Sequence, residues 1–300
     1  MKDIVIFGYG INGAKLYLQL ENDPEYKVIG VADNNIYKKG LLVDDHVVMD
    51  VKDLTELSKT REFFCIISVA NKNGCIIEQL QRAGLQIEGV YKAGRIIPYE
   101  CLDIRGLDLS KNIKLYAGDI PSERLSEEDL YGLSITKADE KHFFHDITNK
   151  YPLPDNCIHS YWAEDVLEHI NLGQIIPVIN EIYRILKPNC LFRISLPDYN
   201  SPRLKKISMY SEDGKLLFDP TGGGDLGEEG VINGGHIWFP TYNIIKGILE
   251  KTKFSKIKYL CYHTKEGKLI KKEIDFSEGH LKRVNEDNKN IYSIVIDCYK

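Results

Sequence analysis

No run of apolar residues in this chain of 300 approaches the roughly 18 that a membrane-spanning helix needs. A membrane protein is therefore not expected. No block of lysine and arginine stands out either. Lys and Arg number 39 against 44 Asp and Glu, a formal net charge of −5, and that balance argues against a dedicated nucleic-acid binder. The seven cysteines are an odd number, with no Cys-x-x-Cys pair and no Cys/His metal spacing. Cys65, Cys157 and Cys298 lie in apolar runs, as buried thiols of a reducing compartment do. No metal site is expected. The start, MKDIVIFGYG, reads as a strand rather than a signal peptide, because it meets glycines after a few apolar residues. The expected location is the cytoplasm. What the chain does have is 43% hydrophobic residues, enough for one large core or two medium ones.

Those residues alternate between strand and helix patterns twice over. In the first half, DIVIFGYG, YKVIGVADNN, FFCIISVA and QIEGVYKA read as strands, and INGAKLYLQLEN and NKNGCIIEQLQRAG as helices. Such βαβ alternation implies a parallel sheet covered on both faces. Periodicity fades across Gly94–Lys111, so a domain boundary is placed near residue 110. The second half restarts. NIKLYAGD, YGLSIT, HFFHDI, CIHSYWAE, CLFRISLP, KIKYLCYH and NIYSIVIDCYK read as strands. SERLSEEDL with a cap-like Ser122, INLGQIIPVINEIYRILKP ended by Pro188, and TYNIIKGILEKTKF read as helices. Between Asp198 and Pro240 a long glycine-containing segment reads as a lid or binding loop. The expected fold class is α/β, with two Rossmann-like domains at 1–110 and 111–300.

Gly8, Gly10 and Gly13 fit G-x-G-x-x-G directly after a strand and at the start of a helix. Glycines there let a pyrophosphate approach backbone N–H groups at the positive helix end. Asp33, at the end of the second strand, is where an acid can bond ribose hydroxyls. The same glycines also suit plain strand–helix packing, and Asp33-Asn-Asn is ordinary turn chemistry. The stretch FGYGINGAKLY…VIGVADNN…KKG…VKDL, across Asp3–Ala93, resembles the small Rossmann-like domains fused to polysaccharide-biosynthesis enzymes. That resemblance implies a nucleotide or nucleotide-sugar as ligand, where there is one, rather than a hydride carrier; NAD stays as the lesser alternative.

In an open parallel sheet, ligands sit beyond the carboxyl ends of the strands. In the second half those ends carry Gly118 and Asp119, Ser134, Asp146, Glu164 and Asp165, and Asp198. The segments HDI…PLPDN…VLEHI…EIYRILKP…LFRISLPD, followed by GGHIWFPTYNIIKGILEKTKF, resemble class I S-adenosylmethionine-dependent methyltransferases over roughly 112–300. The resemblance implies a seven-stranded sheet and S-adenosylmethionine as cofactor. Asp146 would bond the adenine amino group, and Ala163 and Glu164 would flank the donor. The chain departs from the family at LYAGDIP, with Gly118 as its one glycine, and at Ser134, where an acid for the ribose is expected.

The sulfonium is an activated donor, so catalysis needs mainly placement, plus a base for a hydroxyl or amine acceptor. His236 is the first candidate for that base, Asp198 the second and Asp165 the third. Glu168 and His169 are read as holding the following helix. The resulting expectation is a methyltransferase acting on a sugar or nucleotide-linked sugar in glycan biosynthesis. A degenerate methyltransferase fold that only binds, and an NAD-dependent oxidoreductase, are the alternatives. A sugar or other small molecule is the expected partner, with self-association into a homo-oligomer left open.

Overall fold

The computed structural model describes residues 1–278, 281, 284 and 291–300. The chain divides into two units, Met1–Leu107 with Leu133–His145, and Asp108–Gly132 with Asp146–Lys300. No helix among the described residues is long and apolar enough to cross a membrane.

The first unit contains β1 (Lys2–Phe7), α1 (Ile11–Leu20), β2 (Tyr26–Ala32), β3 (Leu42–Val43), β4 (His46–Met49), α2 (Val51–Ser58), β5 (Phe64–Ile67), α3 (Asn73–Arg82), β6 (Gln86–Lys92) and β7 (Arg95–Pro98). Its sheet runs in the order β3-β4-β2-β1-β5-β6-β7. β1 is parallel to β2 and β5, and β5 to β6. Successive side chains of β1 point to opposite faces. Val5 and Phe7 therefore join Leu54, Ile77 and Leu80 on one side, while Ile4 and Ile6 join Leu16 and Leu20 on the other. β7 falls where the sequence shows no period. It folds back antiparallel on β6 through Ala93 and Gly94, both at positive φ (51° and 84°), the backbone of a tight hairpin turn.

There follow β8 (Lys114–Ala117), β9 (Leu130–Ser134), β10 (His142–Phe144), β11 (Ile158–Glu164), α4 (Leu172–Ile185), β12 (Leu186–Pro197), α5 (Pro202–Ile207), β13 (Met209–Tyr210), β14 (Leu216–Phe218), β15 (Asp225–Gly227), β16 (Gly230–Ile232), α6 (Tyr242–Leu249), β17 (Lys256–His263), β18 (Leu269–Lys271) and β19 (Ser293–Tyr299). By their contacts, β10 and the last two residues of β9 count with the first unit. The sheet order is β10-β9-β8-β11-β12-β19-β17-β18. Numbered from β8, its first five strands read 3-2-1-4-5, the doubly wound order. β11 is parallel to both β8 and β12, and β19 enters antiparallel between β12 and β17. The seven expected strands are all present; β18 adds an eighth at the edge, antiparallel to β17. Of the terminal strand read from the sequence, Asn290 lies outside the described residues.

α4 buries Ile175, Val178, Ile179, Ile182 and Ile185, a 3-1-3-3 spacing that keeps one face against the core. It ends at Ile185 rather than at Pro188, because the chain passes straight into β12. Arg193 of β12 is buried and pairs bidentately with Asp297 of β19, Nε to Oδ1 at 2.7 Å and Nη2 to Oδ2 at 2.9 Å.

Two other expectations are corrected. SERLSEEDL does not form a helix; it forms one 3₁₀ turn, Ser122–Arg124. Arg124 is drawn in to 1% exposure, its guanidinium lying over the Trp162 ring at 4.5 Å and pairing with Glu127 at 2.7 Å. A side chain thus covers sheet surface that a helix covers elsewhere. The segment from Asp198 to Pro240 is not a bare loop either. It carries α5 and two hairpins, β13-β14 and β15-β16, so its backbone groups find partners within it.

Candidate functional site

In the first unit the three glycines have different duties. A Cβ at Gly8 (φ +98°) would lie 2.5 Å from Val69 Cγ1, and one at Gly13 would lie 2.5 Å from the Gly8 carbonyl oxygen. Both are needed for the turn and the close strand–helix approach. A Cβ at Gly10 would meet nothing within 4 Å, so packing does not explain that glycine. Asp33 accepts from the amides of Tyr9 (2.8 Å) and Asn35 (2.8 Å) and from Lys38 Nζ (2.7 Å). Burial opposes its ionisation most strongly, but the Lys38 ammonium and these amides outweigh it and hold its pKa below the ordinary value. Asp33 is thus already cross-linked to the glycine turn, and a ribose would share it with Lys38.

In the second unit, Ala117 and Ala163 are register partners on β8 and β11, so Gly118–Asp119 and Glu164–Asp165 leave the sheet side by side. Gly118 is left-handed (φ +89°), and a Cβ there would meet only Val166 Cγ2 at 3.7 Å. Glu164 is buried at 6% exposure. Asp165 also takes a left-handed backbone (φ +53°), uncommon for a residue with a side chain and concentrated at functional turns. Burial first, then the charges of Glu164 and Asp165, push the Tyr116 hydroxyl pKa up.

The remaining residues read from the sequence fall elsewhere or have local partners. Asp146 is exposed and its Oδ1 accepts from Thr148 N (2.9 Å) and Oγ1 (2.8 Å). Ser134, counted with the first unit, accepts from the amides of Thr136 (3.2 Å) and Lys137 (3.1 Å). Asp198, fully buried, accepts from Asn200 N at 3.0 Å and from His263 N and Nδ1 at 2.5 and 2.9 Å. It ties the end of β12 to the end of β17.

His236 is the centre of a second cluster. Three hydrogen bonds fasten its segment to the turn after β11: His169 Nδ1 to the Gly235 carbonyl (3.0 Å), Ile237 N to the Glu168 carbonyl (3.0 Å) and Trp238 Nε1 to the Leu167 carbonyl (2.8 Å). Glu168, His169 and His236 thereby bring one ligand atom each within 4.8 Å of one another. His236 Nδ1 is 2.6 Å from the Tyr199 hydroxyl, which donates its hydrogen to Asp219 Oδ2 at 2.7 Å. Asp219 Oδ1 accepts from Thr221 N and Oγ1, both at 2.8 Å. A Cβ on Gly222 would lie 2.7 Å from the His236 ring, so the glycine-rich loop packs backbone-first on the imidazole.

Sequence reasoning found His236 but not its neighbours Tyr199 and Asp219. It assigned Glu168 and His169 to holding a helix. The signal present was Leu-Glu-His after one strand and Gly-Gly-His much later. Nothing local joins them.

Neither a protein-family model nor a curated protein matches the chain. Among solved structures it is similar to a SAM-dependent methyltransferase from Archaeoglobus fulgidus, at 16% identity over 63% of this chain and 86% of that one, TM-score 0.37. It is similar to one from Thermotoga maritima at 16% identity, over 67% and 87% of the two chains, TM-score 0.38. It is also similar to RSP in complex with β-NADH, at 23% identity over 30% of this chain and 44% of that one, TM-score 0.25; the match spans less than half of RSP. Likenesses of this strength decide nothing about activity. The strand order carries the fold.

Proposed function

We propose that this chain is an S-adenosylmethionine-dependent methyltransferase acting on a sugar or nucleotide-linked sugar in glycan biosynthesis. One observation supports it above the rest: a doubly wound sheet whose adjacent strands β8 and β11 end in a left-handed glycine turn, Gly118, and the acids Asp119, Glu164 and Asp165. This set fits the donor's chemistry. Carboxylates suit a sulfonium cation and ribose hydroxyls, and the open side of Gly118 leaves room for close approach. When bound, S-adenosylmethionine supplies a methyl group already activated for transfer.

The chain's own task is then placement and proton handling. Asp119 and Glu164 hold the donor end. His236 holds the acceptor end, its Nδ1 bonded to the Tyr199 hydroxyl and its Nε2, beside Glu168, the nitrogen that would take a hydroxyl or amine proton. Asp198 is the weaker base, since three donors already occupy its carboxylate. In the first unit, the space at Gly10 supports binding of a nucleotide.

A second reading, binding without transfer, has a specific observation behind it. The Ser122–Arg124 turn replaces the expected helix, so no helix start follows Gly118 to assist an anionic group. Calorimetric titration of the folded chain with S-adenosylmethionine, followed by transfer of a labelled methyl group to nucleotide-sugars, separates the two. Donor heat and labelled product support transfer. The absence of heat at millimolar donor overturns it.

A further inference from the structure

Three side chains in the second unit bring ligand atoms together, and two of them are histidines bonded outward through Nδ1. The Tyr199 hydroxyl has a single hydrogen and gives it to Asp219, so toward His236 it can only accept. His236 Nδ1 therefore donates outward, and Nε2 is the ring nitrogen able to ligate once it carries no proton. Facing that nitrogen at 3.6 Å is Glu168 Oε1, on a side chain with 0% exposure. His169 follows the same logic. Its Nδ1 is 3.0 Å from the Gly235 carbonyl, which can only accept, so Nδ1 donates and Nε2 is again the nitrogen able to ligate. The two rings meet edge to face with centroids 4.8 Å apart.

Two imidazoles and a carboxylate thus converge, one ligand atom each, within 4.8 Å of one another. Each imidazole also donates its other N–H outward, one to a backbone carbonyl and one through Tyr199 to a carboxylate. That outer arrangement is the one that orients metal-binding histidines. We propose that Glu168, His169 and His236 hold a divalent transition-metal ion, zinc matching a His₂Glu set best. The ion's open position takes the oxygen or nitrogen of the methyl acceptor.

Metal binding stands on this geometry alone; the acceptor's coordination rests on the methyl-transfer reading and deepens it. With the ion in place His236 is a ligand, and the acceptor's acidity comes from the ion instead of the imidazole. The exposed side of the site, at His169, is where the acceptor enters.

The test uses the full chain, stripped by chelator and titrated with Zn²⁺ and with Co²⁺. The expected result is one equivalent bound per chain, with visible Co²⁺ bands of a nitrogen- and oxygen-ligated ion. Affinity should fall at least about 10- to 100-fold in His169→Ala and in Glu168→Gln. His169 is exposed, but its replacement removes one of the three bonds to the His236 segment, so a melting curve on each variant checks that the fold is intact, and Glu168→Gln, which keeps that bond, must show the same loss. Sub-stoichiometric binding, or equal affinity in wild type and both variants, overturns the site. Calorimetry with S-adenosylmethionine on the same samples is read separately. Donor heat without metal binding overturns the metal site alone, and metal binding without donor heat overturns only the acceptor role.

Discussion

Glu168 Oε1 stands 3.6 Å from His236 Nε2, and Tyr199 sets the orientation of that imidazole from its far side at 2.6 Å. The pair depends on an outer hydrogen bond as much as on its own side chains. In Tyr199→Phe the Nδ1–H loses its acceptor and the ring is free to change tautomer. Methyl transfer or metal affinity should drop about 10- to 100-fold. Stability should fall by about 1–3 kcal/mol, because buried Asp219 loses a donor. Transfer assays and denaturant melts on the same variant read both effects.

Gly222→Ala removes no functional group. Its Cβ would lie 2.7 Å from the His236 ring, so the imidazole must shift. Misplacement of a reacting group by about 1 Å costs on the order of 100-fold. A variant with unchanged turnover and unchanged metal affinity would show that the loop yields instead of the ring.

The glycines of the first unit separate packing from binding. Gly13→Ala should destabilise the fold by about 1–3 kcal/mol, the usual cost of overpacking. Gly10→Ala should shift stability by less than about 0.5 kcal/mol yet weaken any nucleotide that approaches there. Thermal melts with and without nucleotide distinguish the two. Equal destabilisation by both substitutions would argue for packing alone.

Arg193 and Asp297 are a buried bidentate pair. Asp297→Ala strands the guanidinium inside the sheet and should cost about 3–5 kcal/mol. Replacing both residues by apolar ones of similar volume should cost far less. Denaturant unfolding of the single and double variants measures the difference.

In the first unit, Asp139 has its pKa held low. Burial acts most strongly and raises it, but His142 at 2.8 Å and the Lys92 ammonium outweigh burial. A carboxyl depressed in the folded state stabilises above its unfolded pKa, about 3.9. That contribution is lost as pH falls from about 4 toward the lower folded value. Acid unfolding of Asp139→Asn should therefore be flatter below about pH 4 than that of wild type, from a lower stability at neutral pH.

The sheet was legible because its strands are largely apolar runs. Ile158–Glu164 and Leu191–Pro197 are buried almost throughout, and continuous burial leaves a strong pattern. SERLSEEDL misled because its charges read as a solvated helix face. Arg124 instead goes inside, held by Trp162 and Glu127, and long-range stacking has no local signature. Asp198 looked like a strand-end base, but its partner His263 lies on a later strand. The Glu168–His236 pairing was illegible for a like reason: backbone bonds between two distant segments create it. Glycines of the first unit were better guides, since Gly8 and Gly13 suit close strand–helix packing and each marks a place where a side chain would collide.

The chain has two tryptophans, and the fold gives each a different view. Trp238 is hydrogen-bonded to the carbonyl just before Glu168, and Trp162 lies beneath Arg124 next to the strand ends that bear Glu164. Intrinsic emission is therefore a built-in two-channel reporter. Filling the Glu168–His169–His236 cluster should perturb one indole, and occupancy beside Glu164 the other. Trp162→Phe and Trp238→Phe assign the channels without any added dye.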